Sequence, residues 1–357
     1  MNSRESQLSE RLQTGFLGVI AFGLILFLLT QARFMLICLA FAIIIFSLTS
    51  DAISAFARLK VPNWLATTLA LIAIAVGLLW AATTVVSQVN EVVSTSILYA
   101  DRAQAALSSL SQRWGPKVQE SISTFLGSMD FAGWLRTAAS QASNLISGSV
   151  LILTFVGFMF SERIWFPIKI ERLTGNQARA DNVLRIIYSI MRRVNRYLVV
   201  KAAISAVTAA LIWVIFRATS LELAGAMATL TFILNFIPTI GSIIATVIAI
   251  VVVLAQTGDP TITIVIGGAC TAVHFLIGNI FDPVLLGQTL RLSSFGIVLS
   301  LAFWGAIWGI AGTFLAVPIM VAVMIVCNHI PWLRPVAIML SHEGLPEEEP
   351  HGLKPRG

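Results

Sequence analysis

The sequence predicts an all-α polytopic membrane protein of about eight transmembrane helices, with the sixth and eighth segments broken. Composition is the first reason. Of 357 residues, 57% are hydrophobic and 11% are charged, whereas about a quarter of the residues of an ordinary soluble domain are charged. The apolar residues also lie in long unbroken stretches, which argues against the alternating strands of a membrane barrel.

The individual spans follow from the stretches that lack Asp, Glu, Lys and Arg, because a bilayer core needs roughly 20 apolar helical residues. These stretches cover residues 12–32, 34–50, 61–90, 137–161, 202–216, 223–258, 260–281 and 292–333. The first has Glu5 and Glu10 beside it and no small-residue cleavage site before Arg33, so we expect a retained helix. The fifth is short, and we expect Lys201 and Arg217 to reach the two interfaces from its ends.

Two stretches are too long for single spans. Helices over 223–258 and 292–333 would measure about 54 and 63 Å, so each is predicted to be broken. The breaks are placed at 235–241 in the first and at Gly305, Gly309, Gly312 and Pro318 in the second. Paired Pro/Gly interruptions are the sequence pattern of a transport site. One alternative is that each segment is a kinked helix without a cavity. Another is that both breaks are full hairpins, which would give ten membrane crossings and move the loop holding Asp282 and Arg291 to the other side of the membrane.

The distribution of basic residues predicts the orientation. Segment 162–196 holds eight Lys and Arg residues, whereas segment 91–136 holds four, matched by four acids. We therefore expect the first segment and both termini to be cytoplasmic, and the second segment to be external. The predicted organisation is helices 1 to 3 in 1–90, an external helical insertion in 91–136, helix 4 in 137–161, a cytoplasmic basic helix in 162–196, helices 5 to 8 with the transport core in 197–333, and a cytoplasmic tail in 334–357.

Both polar insertions carry helical patterns. In the external one, a single apolar stripe ends at Gly115-Pro116 and a short helix is predicted over 117–126. The stripe favours either a helical hairpin folded on its own protomer or an oligomerisation or gating element; its members are Val93, Ala100, Ala103, Leu107, Leu110 and Trp114.

In the cytoplasmic insertion, apolar residues alternate with arginines at helical spacing. This pattern predicts an interfacial helix that lies flat on anionic lipid headgroups and anchors the following span; recognition of an acidic partner is the alternative. The apolar face holds Val183, Ile187, Ile190 and Val194, and the basic residues are Arg185, Arg192, Arg193 and Arg196.

Other chemistry has little support in the sequence. The net charge is +6, but the cations flank apolar stretches, so we expect anionic lipid and not nucleic acid as a partner. Cys38, Cys270 and Cys327 all lie within apolar stretches, without disulfide or metal-ligand spacing. There is no phosphate-binding loop, paired-histidine zinc motif or nucleophile elbow. We therefore expect no enzyme activity, no cofactor and no metal.

From Leu223 onward the sequence resembles the autoinducer-2 exporter family of bacterial inner-membrane transporters. The resemblance covers roughly 100 residues in matching order and spacing, and extends more weakly over about 15–340. The matching segments are Asn235-Phe236-Ile237-Pro238-Thr239-Ile240-Gly241-Ser242, Gly278-Asn279-Ile280-Phe281-Asp282-Pro283 with Gly287, Leu290-Arg291-Leu292-Ser293, Leu299-Ser300-Leu301-Ala302-Phe303-Trp304-Gly305, and Gly309 and Gly312 with Leu315-Ala316-Val317-Pro318.

The resemblance implies export of the quorum-sensing signal autoinducer-2, a small polar solute. It also admits a sodium or lithium/proton antiporter, because the family is said to contain such members. It further implies eight spans and assembly as a homo-oligomer, which nothing in the residue pattern itself indicates.

The candidate site residues lie in and beside the broken segments. We expect substrate binding at Asn235, Pro238, Gly241, Asn279, Asp282 and Pro283, and proton coupling at Asp282, Glu222 or His274. Helix packing or gating is assigned to Gly305, Gly309, Gly312 and Pro318. Each has a plainer alternative: a packing kink at Pro238, a solvated carboxylate ending the seventh span at Asp282, a satisfied neutral histidine at His274 and a Glu222 pair with Arg217.

No Asp or Glu lies well inside any of the eight stretches. A proton-coupled antiporter usually carries such a residue, so this distribution favours movement of a neutral solute. The predicted function is therefore export of a small polar solute, with the cation/proton antiporter as the alternative and a scaffold that transports nothing as the third class.

Overall fold

The computed structural model describes residues 3–57, 63–114, 131–285 and 292–344. These parts of the chain contain no strand, and eight of their helices are long and apolar enough to cross a membrane. The prediction of an all-α polytopic membrane protein is therefore confirmed. The helices are α1 (Ser3–Gln31), α2 (Arg33–Ala57), α3 (Asn63–Trp114), α4 (Phe131–Glu162), α5 (Phe166–Thr174), α6 (Gln177–Ala218), α7 (Ala224–Leu234), α8 (Ile240–Thr257), α9 (Pro260–Leu276), α10 (Ser294–His329) and α11 (Arg334–Leu340).

Three amino-terminal helices share a hydrophobic core. Helices α2, α3 and α4 share a core of Cys38, Ala42, Ala66, Val156 and Phe160. Helix α3 continues without a break to Trp114, so the predicted external insertion begins as an extension of a membrane helix. The helix predicted over 117–126 lies outside the described residues.

Helix α6 joins two segments that the sequence analysis separated. Asn176 caps its start, where the side-chain oxygen accepts from the N–H groups of Ala178 at 2.8 Å and Arg179 at 3.4 Å. The helix then runs for 42 residues, about 63 Å, with no boundary at Arg196. Val194 of the expected interfacial helix is buried in the core, and a segment continuous with a span cannot lie flat on the membrane. The expectation of a flat interfacial helix is therefore corrected.

The first long stretch is broken into a helical hairpin, here called the first hairpin, formed by α7 and α8. The Glu222 N–H donates to Gln256 Oε1 at 2.9 Å, so the ends farthest from the turn lie side by side. At the turn, the Ile240 N–H donates to the Pro238 carbonyl at 2.6 Å, and Thr239 adopts a φ of 61°. A three-residue turn of this strained kind reverses the chain abruptly.

The second long stretch also reverses direction, at Gly309. The Ser300 hydroxyl donates to the Ala316 carbonyl at 2.7 Å, although these residues would be about 24 Å apart in a straight helix. Gly309 has a φ of 64°, a conformation that glycine adopts without steric cost. We call α10 the second hairpin. Pro318 lies within its returning arm and not at the break, which corrects the range predicted from sequence.

The two hairpins enter the protein from opposite sides. Helices α6 and α9 run antiparallel. Lys201 of α6 pairs with Asp282, which follows α9. The end of α6 at Ala218 and the start of α9 at Pro260 both adjoin the open end of the first hairpin, called its mouth, where Glu222 contacts Gln256. The first hairpin follows α6 and the second follows α9, as in an inverted repeat. Their turns approach each other, since Phe236 stacks on Phe314 at a centroid distance of 4.5 Å.

Each hairpin returns to the side from which it starts. Helix α7 has 11 residues, about 16 Å, which is too short to cross a bilayer core of about 30 Å. The straight-helix alternative and the count of ten crossings are therefore both replaced by hairpins that enter and return. Asp282 consequently lies on the same side as the start of α6.

This topology predicts a specific labelling pattern. Single cysteines replacing Gln177 and Ser294 are expected to react with a membrane-impermeant maleimide from one side, and a cysteine replacing Thr261 from the other. The native cysteines are all buried, so their background labelling is expected to be low. Labelling of Ser294→Cys from the same side as Thr261→Cys would contradict the hairpin topology.

Candidate functional site

A line of buried polar side chains runs along α6. Tyr197, Lys201, Ser205 and Thr208 follow one another at intervals of four, four and three residues, which places them on one helix face. All four are nearly fully buried, and the line extends for about 16 Å. Buried polar and ionisable residues inside a membrane helix indicate a functional site. We call these residues the α6 polar stripe.

The stripe contains an ion pair with Asp282. Lys201 Nζ donates to Asp282 Oδ2 at 2.6 Å, and the side chains are 2% and 18% exposed. Two sequence expectations are corrected here: Lys201 does not extend to the interface, and Asp282 is not a solvated carboxylate at the end of a span. Partial burial of Asp282 is possible because Lys201 compensates its charge.

A π-helical turn over Ile277–Phe281 directs Asp282 towards α6. The buried face of α9 includes Ile266, Cys270 and His274, and in a regular helix it would continue through Phe281. A π turn takes up one extra residue, so the residues after it are shifted by one position around the helix. Asp282 therefore takes the place on the buried face that Phe281 would have had, and Phe281 is exposed. The helix also continues to Leu285, beyond the predicted end at Phe281.

His274 lies two turns from Asp282, between α9 and α8. Its Nδ1 is 2.8 Å from Thr246 Oγ1. The Thr246 hydroxyl donates its own proton to the Ser242 carbonyl, so we assign the Nδ1 proton to the imidazole as donor. The buried Nε2 has no hydrogen-bond partner among the described residues. The alternative of a histidine with both ring nitrogens hydrogen-bonded therefore holds only for Nδ1.

The turn of the first hairpin docks against the stripe. Asn235 is buried, and its Nδ2 donates to Ser205 Oγ at 3.0 Å. Pro238 is half-buried in the same turn. A Cβ at Gly241 would overlap the Leu234 carbonyl oxygen, so this position requires glycine. Three of the predicted substrate residues thus lie together at the turn.

In the second hairpin, the glycines occupy the turn and the contact between the two arms. Gly309 forms the turn. A Cβ at Gly305 would press on Thr313, and one at Gly312 would overlap the Trp304 carbonyl oxygen. These glycines therefore allow the arms to approach closely.

Other predicted residues lie apart from this cluster. Asn279 is exposed, and its Nδ2 donates to the Phe275 carbonyl of its own helix at 3.0 Å, so it does not form the expected pair with Asp282. Pro283 is exposed. Glu222 is exposed at the mouth of the first hairpin, at the opposite end of α9 from Asp282, while Arg217 lies over the Trp213 ring at 6.0 Å.

Comparison with known proteins decides the family. Residues 17–332 match the sequence model of the AI-2E family transporter. The chain belongs to the AI-2E transporter family. The match covers both hairpins and the α6 polar stripe, so the resemblance first seen in the C-terminal motifs is confirmed over most of the chain.

Individual relatives of this AI-2E family transporter are distant but cover most of its length. The AI-2 transport protein TqsA of Escherichia coli K12 is 28% identical over 330 residues, which are 90% of this chain and 95% of that protein. A putative transport protein of Haemophilus influenzae is 28% identical over 336 residues, 91% of this chain and 95% of its own. A putative transport protein of Borreliella burgdorferi is 28% identical over 225 residues, 61% and 62% of the two chains.

Sequence reasoning missed all four residues of the α6 polar stripe in this AI-2E transporter. Tyr197 and Lys201 precede Ala202, from which the apolar stretch was counted, and Ser205 and Thr208 were not singled out. The signal was present in the helical spacing of the four residues. Among the described residues, no group of three or more His, Cys, Asp or Glu side chains could hold a metal ion.

Proposed function

We propose that this multi-pass transporter exports a small polar solute, with autoinducer-2 as the first candidate, along a path between the α6 polar stripe and the turns of the two hairpins. The observation that carries the proposal is the meeting of two oppositely directed hairpins beside a buried polar face. Interrupted membrane helices are tolerated where they line a cavity or are buried in protein, and transporters bind substrates at such breaks.

The residues have distinct roles in this proposal. Asn235, Pro238 and Gly241 form the turn that borders the path, and Ser205 holds that turn through the Asn235 amide. Asp282 and Lys201 supply the charged groups at one end. Asn279 and Pro283 are exposed, so we assign them no substrate contact.

The proposed substrate is supported by the name of a relative, and the proposed orientation in the membrane by the distribution of basic residues. A relative that covers nearly the whole chain is named an AI-2 transport protein, which makes autoinducer-2 the natural first substrate. The excess of Lys and Arg in segment 162–196 supports a cytoplasmic position for that segment and for both termini in the bacterial inner membrane.

Release of autoinducer-2 from preloaded liposomes tests the proposal. We expect liposomes that contain the purified protein to release the solute faster than preloaded liposomes without protein. Replacement of Asn235 by alanine should slow release several-fold, because the hairpin turn loses its hydrogen bond to Ser205. Asn90→Ala, at an exposed position of α3, is the matched control and should release at the unmodified rate. Equal release by all samples, including the preloaded liposomes without protein, would contradict the proposal.

A sodium or lithium/proton antiporter is the second candidate, and the Lys201–Asp282 pair favours it. The apolar stretches of the sequence hold no carboxylate well inside them, which disfavours an antiporter. Asp282 lies within a continuous helix and is paired with a fully buried lysine. Asp282→Asn separates the two functions: loss of ion-coupled proton movement with solute release intact favours the antiporter, and the reverse favours the exporter.

A further inference from the structure

The imidazole of His274 has one nitrogen that the protein leaves unused. The Thr246 hydroxyl donates to the Ser242 carbonyl, so the contact between Thr246 Oγ1 and Nδ1 places the ring proton on Nδ1. In the neutral imidazole the other nitrogen, Nε2, is then a hydrogen-bond acceptor. His274 is 5% exposed, and Nε2 is buried without a partner in the described part of the chain. Because a buried acceptor without a partner is costly in free energy, this atom indicates a ligand.

Open space lies beside His274, one turn further along α9. Gly278 is half-buried, yet a Cβ added there would meet nothing within 4 Å among the residues that the structure describes. Gly267, on the other side of His274, is packed against Ile250, which would lie 2.8 Å from an added Cβ. Gly278 belongs to the π turn Ile277–Phe281, and such turns are frequent at functional sites. The space therefore adjoins the unused nitrogen.

The contacts between α6 and α9 set the register of the two antiparallel helices. Lys201 pairs with Asp282, and further along the same helices Ile212 and Cys270 belong to one core cluster. The step between these points is one residue longer on α9 than on α6, which matches the extra residue of the π turn. Each step forward along α6 therefore corresponds to a step back along α9.

This register brings the middle of the α6 polar stripe to the open space. Ser205 lies level with Gly278, and Thr208 lies level with His274. Thr208 is fully buried, and its hydroxyl donates to the Ile204 carbonyl of its own helix at 2.8 Å. The Thr208 oxygen is thus left as an acceptor on the side opposite the histidine.

The helices around the space carry no charge of their own. Residues 202–216 of α6, Ile240–Thr257 of α8 and Pro260–Leu276 of α9 contain no Asp, Glu, Lys or Arg. Lys201 and Asp282, at the end of the space, compensate each other. A charged ligand would have no counter-charge, which is strongly unfavourable where it is buried. The ligand must therefore be neutral, and it must donate hydrogen bonds because the unused atoms accept them.

We propose that His274 Nε2 accepts a hydrogen bond from a hydroxyl group of a neutral polyhydroxylated solute, which binds in the space at Gly278 between α6 and α9. A second hydroxyl of the solute donates to Thr208 Oγ1. His274 stays neutral and transfers no proton, in contrast to the coupling role considered from the sequence. A solute without hydroxyl groups leaves Nε2 unpaired and is selected against.

This inference rests on the proposed export function and deepens it. The export proposal assigned the path to the hairpin turns and the polar stripe. The inference adds the chemical class of the solute and the atom that selects it, on a helix that the export proposal did not use for recognition.

Nitrogen-15 NMR of the unmodified protein with labelled histidine tests the state of this atom. The chain has four histidines, and the His274 resonances are those absent from a His274→Asn sample. We expect one protonated and one unprotonated ring nitrogen, and the unprotonated resonance should shift when D-ribose or autoinducer-2 is added. Fully O-methylated ribose, which has no hydroxyl donor, should cause no shift. Protonation of both nitrogens, or no shift with either hydroxylated probe, would overturn the inference.

Two substitutions of His274 separate recognition from folding. Glutamine places an amide oxygen near the position of Nε2, whereas asparagine reaches only as far as Nδ1. We expect His274→Asn to weaken binding of the probe that shifts Nε2 by about three- to tenfold, and His274→Gln to weaken it less. Melting temperatures provide the structural readout, because a purely structural role would lower binding in step with them. Unchanged binding by folded His274→Asn would overturn the inference.

Filling the space tests its position. Gly278→Leu should abolish binding of the same probe while melting near the unmodified temperature, since nothing stands where the side chain would lie. Gly268→Leu is the matched control on α9, because Gly268 is exposed and has equally empty surroundings. This control should bind as the unmodified protein does. Binding by Gly278→Leu equal to that of Gly268→Leu would overturn the inference.

Autoinducer-2 release from proteoliposomes distinguishes the two proposals. Equal release by the unmodified protein and by His274→Asn would overturn this inference and leave the exporter proposal standing. A ribose-dependent shift of the Nε2 resonance without any release of autoinducer-2 would support this inference and contradict export of that solute.

Discussion

Replacement of Lys201 by methionine is expected to destabilise the protein by about 3–5 kcal/mol, because it leaves the Asp282 carboxylate partly buried without its counter-charge. In a thermal unfolding experiment on the detergent-solubilised protein this corresponds to a fall of about 10 °C in Tm. Methionine has nearly the length and volume of the lysine stem, so little packing is lost. The measured effect therefore reports the charge.

Two further variants complete this experiment. The double variant Lys201→Met with Asp282→Asn should recover much of the lost stability, since removing both charges leaves no uncompensated group. Lys169→Met is the matched control, because Lys169 pairs with Glu162 at the exposed surface and such pairs contribute little. A loss for Lys201→Met no larger than that for Lys169→Met would contradict a buried pair.

Alanine at Gly241 or Gly312 is expected to prevent the corresponding hairpin from closing. In each position the added Cβ would overlap a backbone carbonyl oxygen, of Leu234 or of Trp304, and backbone cannot move aside as a flexible side chain can. We expect a cost above about 3 kcal/mol, the upper end for an overpacked core. The readouts are the yield of monodisperse protein, its Tm and its solute release, all of which should fall.

Gly268→Ala provides the control for the glycine substitutions. This residue lies on the exposed side of α9 with nothing within 4 Å of an added Cβ, so alanine should be neutral or stabilise the helix by up to about 1 kcal/mol. If Gly241→Ala and Gly312→Ala behave like Gly268→Ala, the close approach of the hairpin arms is wrong.

The positions of the helix breaks could be predicted from the local sequence. Whether each break is a kink or a hairpin could not. Residues 235–241 and the glycines around Gly309 were recognised because an uninterrupted helix would exceed the bilayer. A kink and a hairpin satisfy that limit equally well. The contacts that distinguish them, Ser300 with Ala316 and Glu222 with Gln256, join residues that are far apart along the sequence.

The ion pair was missed for a related reason. Dividing the chain at every charged residue assumes that a charge marks the membrane boundary. That assumption fails where two charges compensate each other inside the protein, and Lys201 and Asp282 are 81 positions apart. The π turn that brings Asp282 to the buried face has no recognised signature in the sequence.

The sequence by itself determined that this protein is a helical membrane protein, where its apolar helices lie, where two of them break and to which family it belongs. These properties depend on composition, stretch length and local motifs, which are written along the chain. Only the tertiary structure decided that the breaks are opposed hairpins and that α6 carries the polar stripe to which Asn235 and Asp282 bind. Those features arise from contacts between distant segments, and the free energy of such contacts depends on burial that a linear sequence does not specify.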